Sequence, residues 1–408
     1  GHTSQTTANW IISLGRPDLM KIVMLVLNNF THDARVHKEA KTLAAAGHEV
    51  TVLAYQDGAA PDSEHLEGFQ VKRIALRTDT WRVIGLRQFL RYFEFTFRAA
   101  HVAMKLNPDV CHAHAIQALP ACWLASRLQR CHLIYDAHEF EQGRDFINAK
   151  NVPSLMRRAW SLPETLFIRK AHVITVSDSL AEALAETYHI PKPLVVRNCP
   201  ESAPQALNSN WLRMNYNIPE TSVIVLYQGK LHKGRGLENL VQSVKFLRGI
   251  TLVIVGDGPL NDALQLMAKN LPHSTQVIFV GHVPLEELPM VTASANMGVI
   301  LTQNTCLNHY YSLPNKLFEY MQAGIPVIGS NLPEIAHIIE NHGIGRIVDV
   351  ENPQAIAAGI QHLVNNPHDC QKMKLSTTQS AKIYNWYNEG AKLLALYESF
   401  KKYPLTMA

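Results

Sequence analysis

Apolar and polar residues alternate along this chain in blocks of two kinds. Short apolar runs bounded by turn residues read as buried parallel strands: KIVMLVLNN from Lys21, then EVTVLAY, FQVKRIAL, DVCHAH and HLIYDAHE. Between them lie stretches with apolar residues at helical spacing: THDARVHKEAKTLAAAGH, ending at Gly47, a long one from about Arg87 to Leu106, and one from about Leu119. AHVITVSDSLAEAL and PLVVRNCP continue the alternation before a polar link that runs to about Met214. VIVLYQGKLHKGRGLENLVQSV, TLVIVGDGP, VIFVGHVPLEEL and MGVILTQ then begin a second series. Such repeats predict an α/β chain with parallel, doubly wound sheets, whose ligands bind beyond the carboxyl ends of the strands.

Length adds that the 408 residues are too many for one core, since single cores stop growing at roughly 250–300 residues. The expected boundaries are 19–199 for an N-terminal domain, 216–378 for a C-terminal one, and 379–408 for a terminal helix. The clearest punctuation falls in Leu313 to Glu334, LPNKLFEYMQAGIPVIGSNLPE. Pro314 stands where a first helical residue would be, Leu317, Phe318, Tyr320 and Met321 give an apolar helix face, Gly324 stops it, and Pro326-Val327-Ile328 reads as a strand ended by Gly329. A helix that starts after a loop turns free N–H groups and a positive dipole end into a crevice, which suits a phosphate. Glu319, early on that helix, suits the two vicinal hydroxyls of a ribose.

The run NKLFEYMQAGIPVI followed by LPE resembles the donor-binding signature of glycosyltransferase family 4, retaining sugar transferases of the GT-B fold. The resemblance extends from Lys21 to Phe400 and implies two Rossmann-like domains facing each other across a cleft. It implies that Glu319 grips the nucleotide ribose, with Asn315, Lys316 and Leu317 beside it on the donor side. The family signature places an earlier glutamate where this chain has Tyr311, so the contact to the donor sugar differs here. IYDAHE resembles the segment whose histidine reaches the sugar, which makes His138 a candidate catalytic residue. Gly229, Lys230, Arg235 and Gly236 match a family loop of glycines and basic residues; there Lys230 and Arg235 neutralise the leaving diphosphate, with lysine in place of the more usual arginine. Gly281 and His282 match the turn that borders the nucleobase.

The loop after the first strand, LNNFTHDARV, has none of the glycines usual in the family. Side-chain contact from Asn29, Thr31, His32, Asp33 or Arg35 is therefore expected, although Thr31 and Asp33 could equally cap the next helix. His112 and His114 share one strand face, but no third ligand follows at useful spacing, so a packing or acceptor-side role is preferred to a metal pair. No Asp-x-Asp occurs, and the expectation is a metal-independent enzyme without a cofactor.

Charge and cysteines narrow the remaining classes. A formal charge of +4 gives no nucleic-acid footprint, and the six cysteines show no close pair, which fits a reducing cytoplasm. No apolar run reaches the roughly 18–20 residues that span a bilayer, and no secretory signal precedes the first strand. Residues 81–98 combine six aromatics with Arg82, Arg87, Arg91 and Arg98, and residues 150–170 add Trp160, Phe167, Arg157, Arg158 and Arg169. Such stretches suit peripheral contact with the inner face of a cytoplasmic membrane or, equally, core helices with a solvated basic edge. The expected activity is transfer of a sugar from a nucleotide-diphosphate sugar, UDP favoured over GDP, to a glycan or lipid-linked acceptor with retention, in bacterial surface polysaccharide synthesis. The alternative is a nucleotide-sugar epimerase or a non-catalytic GT-B protein that binds sugar nucleotides.

Overall fold

The computed structural model describes residues 19–31, 33–80, 86–140, 154–201, 209–272 and 276–402. Eight strands form the first sheet: β1 (Lys21–Leu25), β2 (Glu49–Tyr55), β3 (Ser63–Leu66), β4 (Phe69–Ile74), β5 (Val110–His114), β6 (His132–Ala137), β7 (His172–Thr175) and β8 (Leu194–Val195). Their order is β3-β4-β2-β1-β5-β6-β7-β8, and all neighbours are parallel except β3 and β4. Six further strands, β9 (Val223–Gln228), β10 (Ile250–Val255), β11 (Gln276–Gly281), β12 (Met297–Ile300), β13 (Val327–Ser330) and β14 (Gly345–Val348), make an all-parallel sheet in the order β11-β10-β9-β12-β13-β14. The central strands are apolar without interruption because helices cover both faces. Every residue of β10 is buried, for example.

Strand order reverses between β1 and β5 in the first sheet and between β9 and β12 in the second. At such a switch point the connections leave in opposite directions and open a crevice at the strand ends. The two crevices face each other, and loops from both sheets touch. The Phe140 N–H donates to Asn308 Oδ1 at 3.1 Å, and the Ser179 N–H donates to Glu334 Oε1 at 2.6 Å.

Several local expectations shift by a few residues. Pro314 precedes the helix Asn315–Gln322 in extended conformation, the following strand starts at Val327, and the link carries a short helix, Trp211–Tyr216. β3 is an addition: its sequence SEHL has a single apolar residue, so alternation gives no signal. It pairs with β4 through a two-residue turn, Glu67-Gly68, with φ of 38° and 93°, the conformation that a tight hairpin requires. At the other end of the chain, the helix Trp386–Lys402 returns to the first domain. Leu393, Tyr397 and Phe400 enter the core beside β1, and Trp386 Nε1 donates to Thr42 Oγ1 at 2.8 Å.

Candidate active site

The C-terminal wall of the cleft is built from crossing loops. Gly256, after β10, has φ of 130°, and a Cβ there would lie 2.0 Å from the carbonyl oxygen of Gly229. Only glycine permits that approach. The Gly229 N–H donates to the Val255 carbonyl at 2.9 Å and the Gly256 N–H to the Gly281 carbonyl at 2.8 Å, so the loops after β9, β10 and β11 form one continuous surface. Gly281 and His282 lie at its edge, with His282 exposed. Lys230 is exposed and Arg235 half-buried. Among the described residues neither has an acidic partner, so this wall presents uncompensated positive charge.

Lys316 joins them from the helix Asn315–Gln322. Its Nζ lies 3.7 Å from the centre of the Tyr227 ring and close behind Gly229. Burial, with Arg235 nearby, lowers its pKa to about 7, against the pull of Glu319. Glu319 is held by a donor the sequence reading missed: Gln228 Nε2 donates to its carboxylate, and Thr292 Oγ1 donates to Gln228 Oε1 at 2.9 Å. Burial raises the Glu319 pKa, and Gln228 and Lys316 oppose that rise. The signal was present, because Gln228 is the one polar residue closing the apolar strand VIVLYQ.

Two donor-side expectations change. Leu317 is fully buried in the core under the second sheet, so its side chain packs and does not face the cleft. Tyr311 bridges the domains: its ring meets Phe140 edge-on at 5.7 Å, and its carbonyl accepts from Ser177 Oγ at 3.3 Å.

On the N-terminal wall the loop after β1 is satisfied from within. Phe30 takes φ of 58°, and Thr31 Oγ1 donates to Asn29 Oδ1 at 2.7 Å. Asn29 Nδ2 in turn donates to Asp57 Oδ2 at 2.6 Å. Asp33 caps the helix Ala34–Ala45, accepting from the Val36 N–H at 3.2 Å, so capping accounts for it; Thr31 does not cap. His32 lies outside the described residues. Arg35, expected as a direct ligand, is buried. Its Nε and Nη2 grip Asp136 at 2.8 and 2.9 Å, its Nη1 donates to the Val196 carbonyl at 2.7 Å, and Glu39 is 3.1 Å from Nε. His138 follows β6 with its Nε2 2.6 Å from Asp136 Oδ2 and part of the ring exposed to the cleft.

The expectation that His112 and His114 lack further ligands also needs correction. Folding brings Glu39 and Asp136 to them, and one ligand atom from each of the four lies within 4.8 Å of the others. Glu39 comes from a helix and Asp136 from the next strand, which sequence spacing cannot reveal. Arg35 already contacts both carboxylates, so the cluster contains its own cation.

A cavity of about 500 Å³ between the domains is lined by Asn29, Asp33, Arg35, His138 and Asn315, among others. A neighbouring one of about 920 Å³ collects Thr31, Asp33, Asn315 and Glu319, and adds Lys38, which the sequence reading did not single out. Gly229, Lys230, Arg235, Lys316, Gly281 and His282 stand outside both linings.

Two family descriptions match consecutive parts of the chain: "Glycosyltransferase Family 4" over residues 34–199 and "Glycosyl transferases group 1" over residues 210–380. The chain belongs to glycosyltransferase family 4 and has the GT-B fold. A glycogen synthase of Mycobacterium tuberculosis is 24% identical over 396 residues, covering 90% of each protein. Among solved structures, sucrose-phosphate synthase from Thermosynechococcus elongatus superposes with a TM-score of 0.73 at 19% identity, covering 94% of this chain and 99% of that one. Anabaena HepE, in complex with UDP and glucose, gives 0.70 at 16%, covering 93% and 100%. At those identities the structures speak for the fold. Within the family's architecture the two walls described above are the facing edges of the interdomain cleft.

Proposed function

We propose that this glycosyltransferase moves a sugar from a nucleoside diphosphate sugar, with UDP as the favoured nucleotide, to a glycan or lipid-linked acceptor with retention of anomeric configuration. The observation that carries this reading is the division of charge across the cleft. Lys230 and Arg235 have no acidic partner among the described residues and, with Lys316, stand by glycine-built loops, next to a carboxylate, Glu319, that is held by Gln228 and attracts Lys316. A leaving diphosphate needs such cations as the glycosidic bond breaks, and fixed cations stabilise it without a metal. Glu319 accepts from the ribose hydroxyls, Gly281 and His282 border the base, and Asn315 lies where both cavities meet. His138 and Asn29 face this set from the other domain, so closure completes the site. The solved complex of HepE with UDP and glucose supports the choice of nucleotide.

The described carboxylates on the sugar side of the cleft are Asp136, clamped by Arg35, Asp33, which caps its helix, and Glu139, which lines the cavity beside His138. The mechanism we propose is same-face attack, with the departing phosphate oxygen accepting the acceptor's proton while His138 supports the sugar.

Membrane contact belongs to this reading in a narrower form than the sequence suggested. On the helix Leu86–Lys105, Phe93 and Phe97 are 53% and 62% exposed, whereas Phe95 is in the core and Glu94 accepts from the N–H groups of Arg77 and Thr78. Leu162 and Leu166 are exposed on the helix Ser154–Phe167. Residues 81–85 and 150–153 lie outside the described residues, and no described helix is long and apolar enough to cross a membrane. The experiment for the whole reading is incubation with a panel of UDP- and GDP-sugars without acceptor. Slow release of nucleoside diphosphate and free sugar is expected from one of them, and release from none would overturn it.

A further inference from the structure

Asp136 is completely buried at the end of β6, two residues before His138, and the polar groups around it come from four other places in the chain. Arg35, from the helix Ala34–Ala45, takes both oxygens. His114 Nδ1, from β5, is 3.3 Å from Oδ2, and the His114 ring stacks on His112 with centroids 4.2 Å apart. His112 Nδ1 lies 2.9 Å from the hydroxyl of Tyr397, on the helix that returns from the far end of the chain. Arg35 is fixed in turn by the carbonyl of Val196, beyond β8. The cluster therefore ties the first helix, three strand ends and the terminal helix to one carboxylate, whose exposed contact is His138.

Charge balance explains why this cluster is tolerable without solvent. Burial opposes ionisation of Asp136, but the Arg35 guanidinium, with His138 and His114, holds it well below the usual carboxylate range. Glu39 goes the other way: burial raises it well above that range despite Arg35. Burial also lowers both His112 and His114. Ionised Arg35 and Asp136, with Glu39, His112 and His114 neutral, sum to zero. An isolated buried ion would be far more costly.

An ionised carboxylate 2.6 Å from Nε2 requires the proton on that nitrogen. We propose that Asp136, clamped by Arg35, is the positioning residue for His138, fixing the imidazole as the Nε2–H tautomer and leaving Nδ1 as the nitrogen for the donor sugar. This rests on the reading that His138 serves the sugar. The neutral ring then offers the sugar an acceptor at Nδ1, and the charged ring a donor. The tautomer is set from beneath, with Tyr397 and His112 closing the back of the cluster.

The groups facing the pair are Arg35, Glu39 and Asp33 from the first helix and its cap, His112 and His114 from β5, Tyr397 from the terminal helix, and the adjacent Glu139. The test uses the full chain with ¹⁵N-labelled histidine, the His138 signals being assigned by their loss in His138→Gln. At neutral pH, Nε2 should carry the proton and Nδ1 should show the shift of an unprotonated ring nitrogen. In Asp136→Asn, verified as folded by circular dichroism, kcat should fall roughly 10- to 100-fold, the scale for losing a partner that orients a functional histidine, with nucleotide Kd and donor KM within about twofold. The Nδ1–H tautomer in the wild type, or an unchanged kcat in Asp136→Asn, would overturn the proposal. So would one equivalent of tightly held transition metal in chelator-washed protein, since Asp136 would then be a ligand. A wild type that shows the expected tautomer but transfers no sugar would instead sink the functional reading and leave the tautomer assignment standing.

Discussion

The two walls of the cleft treat charge in opposite ways. On the N-terminal wall the ionisable groups are buried against one another: Arg35 pairs with Asp136, Glu39 lies beside them, and Arg35 and His138 carry the cluster to the cleft. On the C-terminal wall Lys230 and Arg235 have no acidic partner among the described residues, and Lys316 lies over an aromatic ring and is attracted by Glu319. One wall keeps its charged groups in a buried cluster, and the other leaves Lys230 and Arg235 without an acidic partner among the described residues. The first suits a group that must hold one orientation, the second a group that must bind and release a diphosphate.

The sharpest way to break this contrast is to remove charge from the open wall. Arg235→Ala and Lys230→Ala should each cost about 2–4 kcal/mol of transition-state stabilisation, the scale of one preorganised electrostatic group, read as kcat/KM for transfer. Undiminished turnover in both would mean that the diphosphate sits elsewhere. Chelator should leave the rate of the wild type unchanged, and abolition by EDTA would replace the cation clamp with a metal.

Glu319 predicts a smaller effect and a change in selectivity. Glu319→Ala should weaken nucleotide binding by about 1–3 kcal/mol and erase the preference for ribose over 2′-deoxyribose, because a buried acceptor without its partners carries a cost of that size. Equal wild-type affinity for both sugars, by calorimetry, would contradict the assignment. Gln228→Ala should produce a weaker version of the same loss.

Lys316 gives a pH test with a definite sign. Its pKa near 7 in the free protein should rise when a diphosphate arrives, so binding favours the protonated form. Affinity should be greatest below pH 7 and fall above it by up to about tenfold per unit until the pKa of the complex is reached, with proton uptake measurable in buffers of different ionisation enthalpy. The smallest effect expected is at the periphery, where Phe93→Ala with Phe97→Ala should weaken sedimentation with anionic vesicles roughly tenfold and leave transfer to a soluble acceptor unchanged. Vesicle binding equal to wild type would assign those side chains to another surface.

The sequence carried the open wall better than the closed one, for a physical reason. Glycine loops, a helix start and the residues beside them lie close together in sequence, so a family resemblance can single out Gly229, Lys230, Arg235, Asn315 and Glu319 there, and the parallel alternation that sets the fold is legible as a pattern. The closed wall is assembled across the chain. Arg35 and Asp136 are 101 residues apart, and His112 and Tyr397 are 285 apart. No local pattern announces such a pairing, and Arg35 was accordingly expected at the surface of the site. Leu317 was misplaced because neighbours on a helix are turned about 100° from one another, so a residue between Lys316 and Glu319 in sequence can point into the core. Strand β3 was missed because an edge strand with one apolar residue leaves no period to read.

The central claim is that a nucleoside diphosphate sugar is held by the open wall and delivers its sugar on the face from which the nucleotide leaves, with His138 opposite. Proton NMR of the first-formed sugar product, taken with the donor that the panel selects, measures this most directly. The account predicts that the product has the donor's own anomeric configuration and that His138→Ala forms it roughly 10²- to 10³-fold more slowly at unchanged nucleotide affinity. An inverted anomer would contradict the account, as would loss of nucleotide binding in that variant.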